Sequence, residues 1–161
     1  MYNNVKLTGN VKLYSLPPDF TFEKWKELKN KEKYLVDEGH NLVVDAGIAH
    51  IINLMTAAST SAWTHCATGS GTNVPAAGDI ALQTELVRNT INDRYRVGLN
   101  AHFDTFFAKA DGAGSWEETG LFTASSGGQM LCRKAFSATF TKSTSNAAII
   151  AWTITFAAVA D

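Results

Sequence analysis

The chain has 161 residues, of which 45% are hydrophobic and 18% charged, and its formal net charge is −1. This length suffices for one domain with a substantial core and is short for two. The near-zero charge excludes the basic surface by which proteins hold nucleic acid. The uncharged C-terminal stretch, residues 143–160, alternates threonine and alanine with larger apolar residues, which predicts a strand and no membrane span. We therefore expect one domain, 1–161, with neither nucleic acid nor membrane as a partner.

The N-terminal segment predicts a strand and carries no export signal. Apolar residues occupy the odd positions of Val5–Tyr14, which is typical of one half-buried strand or of two short strands bent at Gly9. The first six residues lack the apolar region of a signal peptide, so we expect no secretory signal. Cys66 and Cys132 lie far apart in apolar runs, so we expect two small buried residues in a reducing compartment and no disulfide.

A lysine- and glutamate-rich segment, residues 19–33, is interpreted as an insertion or arm within the domain. Phe22, Trp25 and Leu28 recur at intervals of three, which predicts a short amphipathic helix over about 21–31 with a solvated face. The alternative is a disordered charged loop. These three aromatic and aliphatic residues are the predicted contact with a partner.

The clearest helical pattern covers about 46–57. Its apolar residues recur at i, i+3, i+4 and i+7, and they are Ile48, Ile51, Ile52 and Met55. We expect this stripe to lie against a sheet and Asp45 to cap the helix N-terminus. His50 lies off the stripe and is predicted to be a surface residue.

A glycine-containing loop follows at residues 69–75. It lacks the Lys-Ser/Thr of a Walker loop and the glycine spacing of a dinucleotide-binding turn, which excludes nucleotide binding on the motif evidence. Asp79 is expected to cap a turn that carries Leu82. Glu85 and Arg88 are three residues apart and are expected to form an ion pair.

The C-terminal half predicts the centre of an antiparallel sheet. Ser115–Phe122 and Gln129–Phe136 flank a Gly-Gly turn, as in a β-hairpin. In the last strand, one parity is apolar and is assigned to the core: Ile150, Trp152, Ile154 and Phe156. With short strands throughout, the predicted fold is mainly β, an antiparallel β-sandwich or jelly-roll-like domain.

No constellation predicts catalysis, a cofactor or a metal site. The histidines and cysteines show no ligand spacing, and Glu117 and Glu118 point to opposite faces of a strand. Trp63 and Trp152 are assigned to the core and Trp116 to an open position, where an aromatic ring could serve as a sugar platform.

Two charged residues stand in apolar strand sequence, Glu118 and Arg133. Because an unpaired buried charge is costly, we expect an ion pair, or hydrogen bonds to the backbone, within the hairpin or at a subunit contact. Arg133 has opposite parity to Phe136, so it should face away from the main core, toward a neighbour or solvent.

An ordered set of motifs resembles small β-rich virion proteins of tailed bacteriophages. The set is Asn41–Gly47, Ala67–Pro75, Asp79–Leu82, Glu85–Arg88, Glu118–Phe122, Met130–Arg133 and Trp152–Phe156. The resemblance covers about residues 39–156 and leaves the arm outside the pattern.

The resemblance implies a non-enzymatic structural protein made in the host cytoplasm, usually a homotrimer, that binds the major capsid protein or other virion proteins. A stand-alone chain without a fibrous shaft favours a head decoration (cement) protein on the capsid exterior. The alternative is a tail, collar, baseplate or fibre-attachment protein, and a carbohydrate-binding module is a second. The residues assigned to structure or assembly are Glu118, Gly120, Leu121, Phe122, Arg133 and Trp152.

Overall fold

The computed structural model describes residues 4–159, which form two five-stranded antiparallel sheets and two α-helices. The strands are β1 (Asn4–Leu16), β2 (Leu35–His40), β3 (Leu42–Val43), β4 (His65–Gly69), β5 (Glu85–Thr90), β6 (Asp93–Val97), β7 (Asn100–Phe107), β8 (Gly114–Phe122), β9 (Met130–Lys142) and β10 (Ala147–Val159). The first sheet has the order β2-β1-β10-β7-β6 and the second β3-β9-β8-β4-β5. The predicted mainly β sandwich is confirmed. The predicted domain range also includes residues 1–3 and 160–161, which lie outside the described residues.

The core lies between the sheets and follows the period-two pattern of the strands. β1 and β10 pair along their whole lengths, and each turns one parity inward. Leu13 from β1 and Ile150, Trp152 and Ile154 from β10 are buried there, as predicted. Phe156 shares this parity, but it is 36% exposed and only partly fits the prediction. The pairing of β10 with β7 ends at Thr155, so Phe156 lies one residue beyond the part of β10 that β7 covers.

The second sheet is built around the predicted hairpin of β8 and β9. Leu121 and Cys132 are paired across it and both face the core. The prediction that Trp116 is open is wrong, because this side chain is fully buried. Its indole Nε1 donates to Gly112 O at 2.7 Å, and its ring lies edge-on to Phe107 at 5.1 Å between centroids. A turn carbonyl thus satisfies the polar atom that would otherwise oppose burial.

The second helix, α2 (Asp45–Met55), occurs where a helix was predicted, and Ile51 of the predicted stripe packs against the core together with Leu54, but the helix is rotated about its axis so that the other stripe residues point outward. Its buried residues are Gly47 and His50, whereas most of the predicted apolar stripe is exposed. A Cβ at Gly47 would collide with the backbone of Leu131, so the helix approaches β9 most closely on its glycine side. Asp45 is the first helical residue, and the N-cap position is Val44, which makes no side-chain cap.

His50 is therefore not the surface residue that was predicted. Its ring is buried, its Nε2 lies 2.6 Å from Ser61 O, and it meets the ring of Trp63 edge-on at 5.2 Å. The hydrogen bond to a loop carbonyl and the aromatic contact replace the water that this side chain gives up. Trp63 is buried as predicted.

The charged arm is folded onto the outer face of the first sheet. The first helix, α1 (Phe22–Glu27), begins after Thr21, whose hydroxyl accepts from Lys24 N at 3.3 Å, and a 3-10 turn follows at Glu32–Tyr34. Trp25 is only 2% exposed and lies on Tyr14 at 4.6 Å between ring centroids. Trp25 is therefore not available as the predicted partner contact, because it is the centre of a second small core.

A buried ion pair joins the two sheets at one side of the sandwich. Lys134 Nζ, on β9, lies 3.0 Å from Asp37 Oδ1, on β2, and both side chains are buried. Burial raises the pKa of Asp37, but hydrogen bonds from Ser137 and Lys134 outweigh it and hold the pKa below its usual value. The charge of Lys134 is thus compensated across the sheets.

Candidate functional site

The largest assembly of buried charge lies on the outer face of the second sheet, beneath the loop that connects β4 and β5 (residues 70–84). Glu118 on β8 and Arg133 on β9 are almost completely buried there, and Asp79 of the loop lies over them. We call these three residues the buried charge cluster. Strand register explains the arrangement: Arg133 is paired with Gly120, two residues along from Glu118, so both charged side chains leave the same face.

Glu118 holds the loop through its backbone. Oε1 accepts from Gly71 N at 3.0 Å and from Thr84 N at 2.8 Å, and Oε2 accepts from Gln83 N at 3.0 Å. These amides belong to the two ends of the loop, so one carboxylate joins its start to its finish. A Cβ at Gly71 would collide with Oε1, which explains the glycine in this loop. The loop thus cradles an anion, and the anion is a carboxylate of the same chain.

Arg133 completes the pairing and reaches further into the loop. Its Nε donates to Glu118 Oε2 at 2.9 Å, and its Nη2 lies 2.7 Å from the same oxygen. Nη1 donates to Asp79 Oδ2 at 2.7 Å, and Nη2 donates to Asn73 O at 3.2 Å. All three nitrogens of the guanidinium therefore have acceptors, which is the condition under which a buried arginine is tolerated.

Asp79 connects the cluster to the loop's own turn. Its Oδ2 also accepts from Ala76 N at 2.9 Å, which is the turn-capping role predicted from the sequence. Burial raises the pKa of Asp79, but the hydrogen bonds from Ala76 and Arg133 outweigh it and lower the pKa overall. The carboxylate is therefore ionised at neutral pH and balances part of the arginine charge.

A second arginine fixes the neighbouring hairpin turn. Arg88 forms the predicted ion pair with Glu85, at 2.6 Å, although both lie on strand β5 and not on a helical turn. Its Nη1 donates to Ala124 O at 2.9 Å and to Gly127 O at 2.7 Å, and its guanidinium lies 3.7 Å from the ring centroid of Phe122. The β8–β9 turn and the strand after the loop are thus held together.

The predicted structural residues divide between this site and the core. The predicted ion pair of Glu118 and Arg133 is present, and Arg133 does face away from the main core. The expectation that Arg133 meets a neighbour or solvent is wrong, because the β4–β5 loop covers it. Leu121 and Trp152 lie in the core between the sheets instead.

Two partners of the cluster were missed as such by sequence reasoning. Asp79 was assigned only to its turn, and Asn73 was assigned no role, yet both bind Arg133. The one indication that Asp79 and Arg133 are related is that both belong to the same ordered set of motifs. The sequence does not show that the two residues lie close together. The predicted contact residues Phe22 and Leu28 lie with Trp25 on the first sheet, in a different cluster.

The chemistry open to the cluster is structural. Glu118 is fully buried and accepts four hydrogen bonds, so neither a substrate nor a water reaches it without displacing the loop. The two cysteines are free and buried as predicted, and burial raises the pKa of Cys66 to about 11, which disfavours a thiolate nucleophile.

Within residues 4–159, no three histidine, cysteine, aspartate or glutamate side chains are grouped so that they could hold a metal ion. Neither helix in this range is long and apolar enough to cross a membrane. Comparison of the chain with protein-family models, with curated proteins and with solved structures gave no match.

Proposed function

We propose that this protein is a non-enzymatic structural component of a tailed-phage particle, a decoration protein that binds the major capsid protein on the head exterior. The observation that carries the proposal is the β4–β5 loop. Its residues Val74 and Ile80 are 83% and 72% exposed, while the buried charge cluster fixes the backbone between and around them. A fixed loop that presents apolar side chains to solvent is suited to binding another protein surface.

The physical advantage of the cluster is preorganisation. A free loop loses conformational entropy when it is ordered by a partner, which reduces affinity. In this chain that cost is met during folding, because Glu118, Arg133 and Asp79 already hold the loop. Each copy in a particle contributes a modest contact, and a rigid contact repeated over a shell adds to the stability of the head.

The contact is assigned to the loop and no longer to the arm. Trp25 is buried, and Phe22 and Leu28 are half-buried against the first sheet, so most of their apolar surface is already used within the chain. Replacing the arm with a Gly-Ser turn would expose the apolar surface beneath it, and such a variant would not isolate a contact.

Binding to particles that lack the protein tests the proposal. We expect the folded double variant V74D/I80D to bind at least tenfold more weakly, a loss of ~1.4 kcal/mol or more. Val36→Asp is the matched control, because Val36 is 49% exposed on β2, in the other sheet. Equal binding of both variants would remove the loop from the interface. Failure of the unmodified protein to bind any head would contradict the decoration role.

Copy number separates the decoration role from its alternative. A decoration protein is present in hundreds of copies per particle, whereas a tail, collar or baseplate component is present in about a dozen or fewer. Quantitative mass spectrometry of purified particles, with the major capsid protein as the internal standard, gives this number. A ratio near that of tail proteins would overturn the decoration proposal and support the tail alternative.

A further inference from the structure

A strip of polar side chains crosses the middle of the core between the two sheets. The second sheet contributes Cys66 and Thr68 from β4 and Thr119 from β8, and the first sheet contributes Thr105 from β7 and Trp152 from β10. We call these five residues the polar strip. Each of them has an exposed fraction of 0%, so no bulk water reaches their side chains.

Strand alternation places the strip on the inner faces of the sheets. Cys66 and Trp152 belong to the main core, and Thr68 is two residues from Cys66 on β4, so it leaves the same face. Thr105 is two residues from both Phe103 and Phe107, which also belong to that core. The strip is therefore separate from the buried charge cluster, which lies on the outer face of the second sheet.

Part of the strip is satisfied within the second sheet. Thr119 Oγ1 donates its only hydrogen to Ala67 O at 2.7 Å. Cys66 Sγ lies 3.5 Å from Thr119 Oγ1, and since the hydroxyl hydrogen is already used, the thiol is the donor in this contact. The Cys66 sulfur then has no hydrogen left to give and remains only a weak acceptor.

The rest of the strip has no partner in the protein. Within residues 4–159, Trp152 Nε1, Thr105 Oγ1 and Thr68 Oγ1 are enclosed and form no hydrogen bond. Trp152 and Thr105 are diagonal neighbours in the register of β10 and β7. Burial raises the pKa of the Cys66 thiol to about 11, and Thr119, Trp152 and Thr105 lie near enough to oppose that rise. An indole N–H and a hydroxyl thus lie close to one weak acceptor without bonding to it.

Groups of this kind identify the ligand that would pair them. An enclosed polar atom without a partner costs the free energy of its lost hydration, and native cores rarely contain one. Folded proteins hold roughly one buried water per 27 residues, and each makes about three hydrogen bonds to groups that would otherwise be unpaired. Water accepts from an indole N–H and a hydroxyl and donates to sulfur. Because the strip is enclosed and its thiol is neutral, a small uncharged ligand is required.

We propose that Trp152, Thr105 and Cys66 form an internal water site that joins the two sheets. The water accepts from Trp152 Nε1 and Thr105 Oγ1 on the first sheet and donates to Cys66 Sγ on the second. Trp152 thereby contributes a polar link through its indole nitrogen in addition to its apolar area. The proposal does not depend on the proposed function, because it concerns the core of the sandwich alone.

A crystal structure of the full chain at 1.5 Å resolution or better tests whether the site is occupied. We expect one water oxygen within about 3.2 Å of both Trp152 Nε1 and Thr105 Oγ1. Trp116 Nε1 is the control in the same map, because Trp116 is equally buried but donates to Gly112 O at 2.7 Å and should have no water beside it. A map without the water, or with Trp152 Nε1 bonded directly to a protein atom, would overturn the proposal.

Replacing Thr105 with valine tests the site in solution, because valine keeps the shape of threonine and removes the hydroxyl. If the hydroxyl binds water, Thr105→Val should lower the folding equilibrium constant about fivefold in urea unfolding. If the hydroxyl has no partner, the same change should raise it. Thr141→Val, at an exposed position of β9, is the matched control for the strand preference of valine and should change the constant by about twofold or less.

A Thr105→Val variant that is as stable as the unmodified chain, or more stable, would overturn the proposal. Circular dichroism shows whether the variant is folded. If it is not, Thr105→Ser retains the hydroxyl, and a crystal structure of this variant should still contain the water beside Trp152 Nε1. Loss of the water from the serine variant would contradict the site as well.

Discussion

Replacing Glu118 with glutamine should lower the stability of the protein far more than a surface change would. The substitution keeps the shape but turns one acceptor oxygen into a donor, which then faces the N–H groups of Gln83 and Arg133. Breaking a buried pair costs ~3–5 kcal/mol. Because Arg133 keeps Asp79 as a partner, we expect the lower end, about 3 kcal/mol. For a chain of this size, that loss lowers the melting temperature by about 6–12 °C.

The measurement is urea unfolding combined with amide hydrogen exchange of the folded state. The amides of Gly71, Gln83 and Thr84 should exchange much faster in the Glu118→Gln variant, since the carboxylate holds all three. Glu117→Gln is the matched control on the other face of the strand, with an expected effect within ~1 kcal/mol. A loss below ~1 kcal/mol in Glu118→Gln, with the three amides still protected, would refute a structural role for the cluster.

Three further predictions concern the sheets. Because the pKa of Asp37 is lowered in the folded protein, its carboxylate stabilises the fold at pH values above the unfolded-state pKa, and this contribution is lost as pH falls through the folded-state pKa. Urea unfolding at several pH values should therefore show that Asp37→Asn is less stable than the unmodified protein at pH 7 and that the difference shrinks toward pH 3. Burial and the facing carboxylate of Asp93 raise the pKa of Asp104. Asp104→Asn should therefore stabilise the protein at pH 7 by up to ~1 kcal/mol, and this gain should disappear as pH falls through the raised pKa. A destabilised variant would contradict the raised pKa of Asp104. Trp152→Ala should cost ~3–5 kcal/mol in thermal or urea unfolding and Phe156→Ala clearly less, and equal losses would contradict the burial of these positions.

The sandwich was predictable because side chains along a strand alternate between the buried and the exposed face. The alternation around Trp152 and the two runs that flank the β8–β9 turn indicated core and hairpin without any long-range information. Trp116 shows the limit of such reasoning. Two glutamates follow it in sequence, and its burial becomes favourable through contacts made in the fold: the Gly112 carbonyl accepts from its Nε1, and the rings of Phe107 and Phe140 pack against it.

The orientation of α2 could not be predicted from its hydrophobic period, because apolar residues occupy more than one face of this helix. The closest approach is decided by Gly47 against the backbone of β9, a tertiary contact that no helical periodicity encodes. Of the apolar stripe that was assigned to the core, Ile51 packs there, whereas Ile48, Ile52 and Met55 are exposed.

The buried charge cluster was predictable only in part. A charged residue in an apolar strand indicates that a partner exists, and the two strand residues could be paired from hairpin register. The loop residues that complete the cluster, Asn73 and Asp79, lie 60 and 54 positions from Arg133, and nothing local links them to it. Such partners follow from the crossing of the β4–β5 loop over the second sheet, which is a property of the fold.

The central claim, that this chain decorates a phage head through its rigid β4–β5 loop, is tested most directly by a cryo-electron microscopy map of the particle that contains it. The account predicts hundreds of copies on the capsid exterior, with Val74 and Ile80 against the major capsid protein. Density for the chain only in the tail, or on the head with this loop directed to solvent, would contradict the claim.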